Sequence, residues 1–150
     1  MSKVIRKGPG LKNIVKKLND GYVSVGVHRN EGQHKDSDLT VAGVAAINEF
    51  GARGIPERSF MRTTMFDQRR TLMITLRKIA KIQFHKKRAE IGIKKLGEYL
   101  RGKIQAKIVA IKNPPNSPRT IAYKKSSNPL IDTGQMRQSI HSVYHKKRPK

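Results

Sequence analysis

Apolar side chains recur at steps of three and four from Ser59 to Ile111, until Asn113-Pro114-Pro115-Asn116-Ser117-Pro118 interrupts the pattern. Proline cannot continue a helix and biases the residue before it toward extended backbone, so the break is firm. Within the stretch, Met61, Met65, Leu72, Leu76 and Ile79 share one side of a predicted helix over about 59–84. Ala89, Ile93, Leu96, Leu100, Ile104, Ile108 and Ile111 share one side of a second, over about 88–111. Glycines at 92, 97 and 102 each cost on the order of 1 kcal/mol relative to alanine in such a helix. They imply either close approach of another backbone or a kinked, partly frayed helix.

The flanking segments supply shorter elements. Leu11, Ile14, Val15 and Leu18 predict a helix over 9–19 that Asp20-Gly21 stops. Tyr22 to His28 reads as a strand with Val23, Val25 and Val27 on one face. Residues 29–38 form a polar loop, and Asp38 is the expected N-cap of a helix over about 39–50 with Val41, Val44, Ala45, Ile47 and Phe50 as its apolar stripe. After the proline break come an extended piece at 119–123, a short helix from near Gln135 capped by Asp132 or Thr133, and a strand over 139–144. This order implies one α+β domain over residues 1–145, a small, mostly antiparallel sheet packed against two long helices and shorter ones, followed by a basic tail at 146–150.

Charge is the next constraint. Across 150 residues, 33 Lys and Arg face 10 Asp and Glu, a net charge of +23. Residues 1–75 carry 13 basic and 7 acidic side chains, and residues 76–150 carry 20 and 3, so the excess is +6 in the first half and +17 in the second. A polyanionic partner is implied, nucleic acid foremost, then an anionic membrane surface or an acidic protein. No aromatic residues alternate with the basic runs, so stacking on bases is not indicated and contact with phosphates is. The densest group, Lys86, Lys87, Arg88, Lys94, Lys95 and Arg101, is the candidate DNA-facing set.

Several chemistries are excluded or disfavoured. With no cysteine there are no disulfides, thiolate zinc sites or cysteine nucleophiles. Neither a signal-peptide pattern nor an apolar run near the ~18 residues of a membrane span occurs, so a soluble chain with no membrane partner is expected. His34-Lys35-Asp36-Ser37-Asp38 is the best local grouping of ligand types, and it reads better as a solvated loop with Asp38 as a cap. Phosphate-binding glycine loops, nucleophile elbows and H-E-x-x-H are absent. A non-enzymatic protein without cofactor or metal is the expectation.

Two segments carry more specific information. One is Ile47-Asn48-Glu49-Phe50-Gly51-Ala52-Arg53-Gly54-Ile55-Pro56-Glu57-Arg58-Ser59-Phe60-Met61. The other runs from Asn116-Ser117-Pro118-Arg119-Thr120 through Lys124-Lys125 to Pro129-Leu130-Ile131-Asp132-Thr133-Gly134-Gln135-Met136-Arg137-Gln138-Ser139-Ile140. Together they resemble the tail-completion, or virion-morphogenesis, proteins of tailed bacteriophages. Those proteins have an acidic-aromatic-glycine triplet at a helix end, a Pro-Arg-Pro-Phe-like turn into a long helix, and a Pro-Leu-x-Asp-Thr-Gly-x-Leu/Met-Arg-x-Ser-Ile segment near the C-terminus. The resemblance covers about residues 20–144 and departs where Glu57 and Ser59 stand in place of the prolines beside the arginine.

The resemblance implies a structural protein of the virion neck, at the head–tail junction. Its expected partners are copies of itself in a ring, a hexamer favoured, other neck and tail-tube proteins, and phage DNA held through phosphates without sequence readout. Its candidate family and assembly residues are Glu49, Phe50, Gly51, Pro56, Arg58, Phe60, Asp132, Thr133, Gly134 and Arg137. Most read as fold-defining corners, with Phe60 an anchor in the core. Arg58 and Arg137 have no local reason to be arginine and are candidates for intersubunit salt bridges. A free, sequence-independent nucleic-acid-binding protein, ribosome-associated or nucleoid-like, is the alternative that composition supports.

Overall fold

The computed structural model describes residues 21–35, 38–82, 85–124 and 126–146. The expected helix at 9–19 and residues 147–150 of the basic tail lie outside the described residues, as do Asp36 and Ser37. The chain is α+β, as the pattern of elements implies. Strand β1 (Tyr22–Val27) leads through a 3₁₀ turn (Arg29–Glu31) to α1 (Val41–Phe50). The two long helices are α2 (Met61–Lys81) and α3 (Lys86–Ala110); α4 (Pro118–Lys124), α5 (Gln135–Gln138) and β2 (Ile140–His145) complete the order. β1 and β2 pair antiparallel, Tyr22 opposite His145 and Val27 opposite Ile140. This register turns Val23, Val25 and Val27 together toward the core, as their alternation predicts.

Helix α3 is the axis of the molecule. Its buried Ile104 and Ile108 join Val41, Ala45, Phe60, Leu130, Met136 and Ile140 in one apolar cluster. Its buried Ala89, Ile93, Leu96 and Leu100 join Leu72 and Ile79 of α2 in another. Val25 packs against both, so the strand ties them together. Burying side chains of this kind contributes about 1.5–3 kcal/mol each before the entropy of ordering the chain is subtracted.

Helix α2 is less embedded than its periodicity predicts. Leu72 and Ile79 are buried, but Met65 and Leu76 are half exposed, and Phe66 is 65% exposed. At ~1.5 Å per residue a helix of 21 residues is ~31 Å long. Its packing partner is α3, which covers one flank of the cylinder and leaves the other open.

Two further expectations are corrected. Thr40, not Asp38, caps α1, its Oγ1 accepting the Gly43 N–H at 3.0 Å. Helix formation is delayed because Gln33 and Thr40 form a bridge and the His34 N–H bonds the Leu39 carbonyl at 2.9 Å, holding residues 39–40 extended. The segment at 119–123 is helical rather than extended. Pro118 occupies the first helical position, where its missing N–H costs nothing, and Ser117 Oγ accepts the Thr120 N–H at 3.2 Å.

The glycines of α3 divide by environment. A Cβ on Gly97 would overlap Val23 Cγ2 and Ser142 Oγ, so the sheet sits directly on the helix backbone there. A Cβ on Gly92 would lie 2.9 Å from Ile79 Cγ1, whereas Gly102 faces open space. Close approach thus explains two of the three. Gly97→Ala is expected to destabilise the chain by about 1–3 kcal/mol through overpacking. Gly102→Ala is expected to stabilise it by up to about 1 kcal/mol. Chemical denaturation of the two variants beside the parent checks the pair.

Candidate functional site

The first resembling segment folds around one carboxylate. Glu49, in the last turn of α1, is only 3% exposed. Its Oε2 accepts the backbone N–H groups of Phe60 and Met61, both at 2.8 Å. Its Oε1 accepts the Arg62 N–H at 2.9 Å, the Ser59 hydroxyl at 2.9 Å and Arg62 Nε at 3.1 Å. The first N–H groups of a helix have no partner within it, and their aligned dipoles favour negative charge. Glu49 supplies both acceptor and charge to α2 from a different helix. Burial desolvates this carboxylate and by itself raises its pKa; the hydrogen bonds from Arg62, Met61 and Ser59 outweigh that and hold it below its usual 4.5.

The rest of the corner forms around that contact. Gly51 adopts φ 78° and returns its N–H to the Ile47 carbonyl at 2.8 Å, ending α1 in a conformation that favours glycine. Ala52 and Ile55 close a tight bridge, and the Arg58 N–H reaches the Asn48 carbonyl at 2.8 Å. Phe60 is fully buried, the anchor expected of it. Phe50 is not part of the buried stripe: it is 64% exposed, with the Arg62 guanidinium 4.7 Å from its ring centroid. Pro56 is exposed on the loop.

Arg58 requires a correction of role. It is 5% exposed and donates within its own chain: Nε to the Pro114 carbonyl at 2.7 Å, and Nη2 to the Pro115 carbonyl at 3.0 Å and Asn116 Oδ1 at 3.1 Å. Those bonds give the arginine a role within its own chain and leave only its Nη1 without a partner among the described residues. The local reason for an arginine lies 56 residues away, where the proline loop presents carbonyls that need donors from elsewhere. Desolvation lowers the Arg58 pKa. Asn116 in turn donates to the Pro129 carbonyl at 3.5 Å, so the two resembling segments form one unit.

In the second segment Gly134, at φ 79°, rather than Asp132, occupies the cap position of α5. Thr133 contributes a long contact, its Oγ1 accepting the Gln135 N–H at 3.4 Å. Asp132 instead faces Lys124, whose pKa is lowered by desolvation first, an effect Asp132 opposes and Arg58 reinforces. Arg137 is exposed, as an intersubunit contact would need.

The basic candidates divide between two adjoining rows. At 3.6 residues per turn, Lys87, Lys94 and Arg101 recur every seven residues along one flank of α3, and Arg88 and Lys95 along the next. Lys94 pairs with Glu90 at 2.7 Å and lies 5.1 Å from the Tyr144 ring centroid; Arg101 pairs with Glu98 at 2.9 Å. Lys87, Arg88 and Lys95 are exposed and outside every ion pair among the described residues. The Lys86 side chain lies outside what is described.

Sequence reasoning missed a second basic surface on α2, where Arg69, Arg70 and Arg77 surround exposed Met73 and Ile74, and Arg69 lies 4.6 Å from the Phe66 ring centroid. Its signal was the interleaving of arginines with Phe66, Met73 and Ile74, apolar residues that the core-facing stripe had left out. It also missed that the fold brings Lys124 near Arg58, two like charges at one place.

Ser24 Oγ lies 3.0 Å from His28 Nε2 and 2.9 Å from His145 Nε2. A serine nucleophile needs a base that is itself oriented by a third group, and His28 Nδ1 is buried without a partner among the described residues. Among the described residues no three His, Asp or Glu side chains group as metal ligands, and no helix is long and apolar enough to cross a membrane. No family model, curated protein or solved structure matches the chain.

Because the Glu49 pKa is depressed in the fold, its contribution is present above pH 4.5 and is lost as pH falls through the lower, folded value. Acid denaturation followed by circular dichroism should show this limb, and Glu49→Gln should flatten it. Glu49→Ala, which leaves helix N–H groups unpaired, should cost about 2–4 kcal/mol at neutral pH.

Proposed function

We propose that this chain is a non-enzymatic structural protein of the tailed-phage neck, acting in tail completion or head–tail joining as a ring around the DNA channel. The observation that carries the reading is the union of the two resembling segments: the Glu49 corner aims α2, and Arg58 of the same corner binds the Pro114-Pro115-Asn116 loop that opens the second segment. Residues that recur together in the motif resemblance are thus mechanically coupled here, which is what a part that must present fixed surfaces to neighbours requires.

Two surfaces suit assembly at such a place. The open flank of α2, with Phe66, Met73 and Leu76 exposed, offers apolar area for a neighbouring protein or copy. The unpaired Lys87, Arg88 and Lys95 offer phosphate contacts on α3. In a ring, a few such residues per copy multiply into a continuous cationic lining. The net charge of +23 equally favours a free nucleic-acid-binding protein, and the two readings part on assembly.

Disrupting the gene in a phage that encodes it should yield DNA-filled heads and finished tails that fail to join, restored by the chain supplied in trans; normal particles would overturn the neck reading. In filter binding, affinity for duplex DNA should fall steeply with salt and be indifferent to sequence. Changing Lys87, Arg88 or Lys95 to Gln should each reduce the slope of log K against log salt by about 1.

A further inference from the structure

Two cavities, of about 350 and 210 Å³, meet beneath α4 and share Val44, Asn48, Lys124 and Pro129. The larger is walled by Leu39, Ile47, Ile55 and Pro56 on one side and the proline loop on the other. Arg58 lines it, and Lys124 lines both. These two cations are close enough to repel one another, and both are desolvated. Arg58 has only carbonyl and amide oxygens as partners, and its Nη1 donates to nothing among the described residues. Among the described residues Lys124 Nζ reaches only the Pro129 carbonyl, at 3.4 Å. Among the described residues no carboxylate hydrogen-bonds either cation; Asp132, which lines the smaller cavity, offsets only part of the desolvation of Lys124, and burying an incompletely compensated charge is costly.

We propose that this cleft is a binding site for a carboxylate carried on an apolar peptide segment of a partner protein, the acid lying between Arg58 and Lys124 and its apolar neighbours against Leu39, Ile47, Ile55 and Pro56. Charge complementarity selects the acid, and the walls select what carries it. A DNA duplex presents its phosphates on a broad convex surface and meets long, exposed lysines and arginines; it does not bring a phosphate to an arginine that is 5% exposed in an apolar-walled cleft. The site lies away from Lys87, Arg88 and Lys95 and does not depend on the neck reading. In any assembly it would receive a tail or loop of an adjoining chain, adding strand-independent specificity to an otherwise diffuse electrostatic attraction.

A random peptide library selected on the full chain tests this. Selected peptides should carry Asp or Glu flanked by apolar residues. Their synthetic forms should lose about tenfold or more in affinity when the acid is replaced by its amide, as expected for a charge-assisted pair. Lys124→Met, which removes a desolvated charge and keeps the stem, should lose a similar factor, while Lys95→Met should not. Amide resonances of residues 55–58 and 115–124 should move on adding the peptide. The proposal fails if no peptides are selected, if amide forms or Lys124→Met bind equally well, or if those resonances respond to duplex DNA or to protein concentration in place of peptide. Unchanged thermal denaturation of Lys124→Met separates loss of the site from loss of the fold.

Discussion

A single buried carboxylate sets the geometry on which the rest depends. Glu49 belongs to α1, but its five hydrogen bonds go to Ser59, Phe60, Met61 and Arg62 at the start of α2. One interaction therefore ends one helix and begins another, and Phe60 is fixed in the core between them. The entry of α2 in turn determines where Leu72 and Ile79 meet α3, and the Arg58 side chain on the same corner clamps the proline loop at the far end of α3. The entry into α2 and the exit from α3 are thus both referred to residues 49–62.

What could be read in advance follows from how local the cause is. The spacing in α3 anticipated every buried apolar side chain from Ala89 to Ile108 because that face of the helix is covered from end to end, and the alternation in β1 worked for the same reason. In α2 the same periodicity misplaced Met65 and Leu76, because an apolar stripe specifies which side prefers burial and not whether a partner is there to cover it. Pro118 signalled both the end of one element and the start of the next, and only the first meaning was visible locally. The partners of Glu49 were within reach of sequence reasoning, ten to thirteen residues away. Those of Arg58 and Lys124 were not, since the proline loop and the cleft are brought together only by the tertiary fold.

The charge of the chain has acquired an internal structure. Part of it is neutralised along α3 by Glu90 and Glu98, part stands at Lys87, Arg88 and Lys95 without an ion pair among the described residues, and part lines a cleft at buried Arg58 and half-buried Lys124. These populations suit different tasks. Exposed, unpaired lysine tips attract a phosphate backbone without registering its sequence. Two partly desolvated cations in a cleft discriminate by shape as well as sign. A neck component would use both, one toward the conduit and one toward its neighbours.

The most direct measurement is cryo-electron microscopy of the intact phage particle. The account predicts density for this chain as a closed ring at the head–tail junction, with Lys87, Arg88 and Lys95 facing the channel. A particle lacking the chain, or a chain found free on nucleic acid in the infected cell, would contradict it.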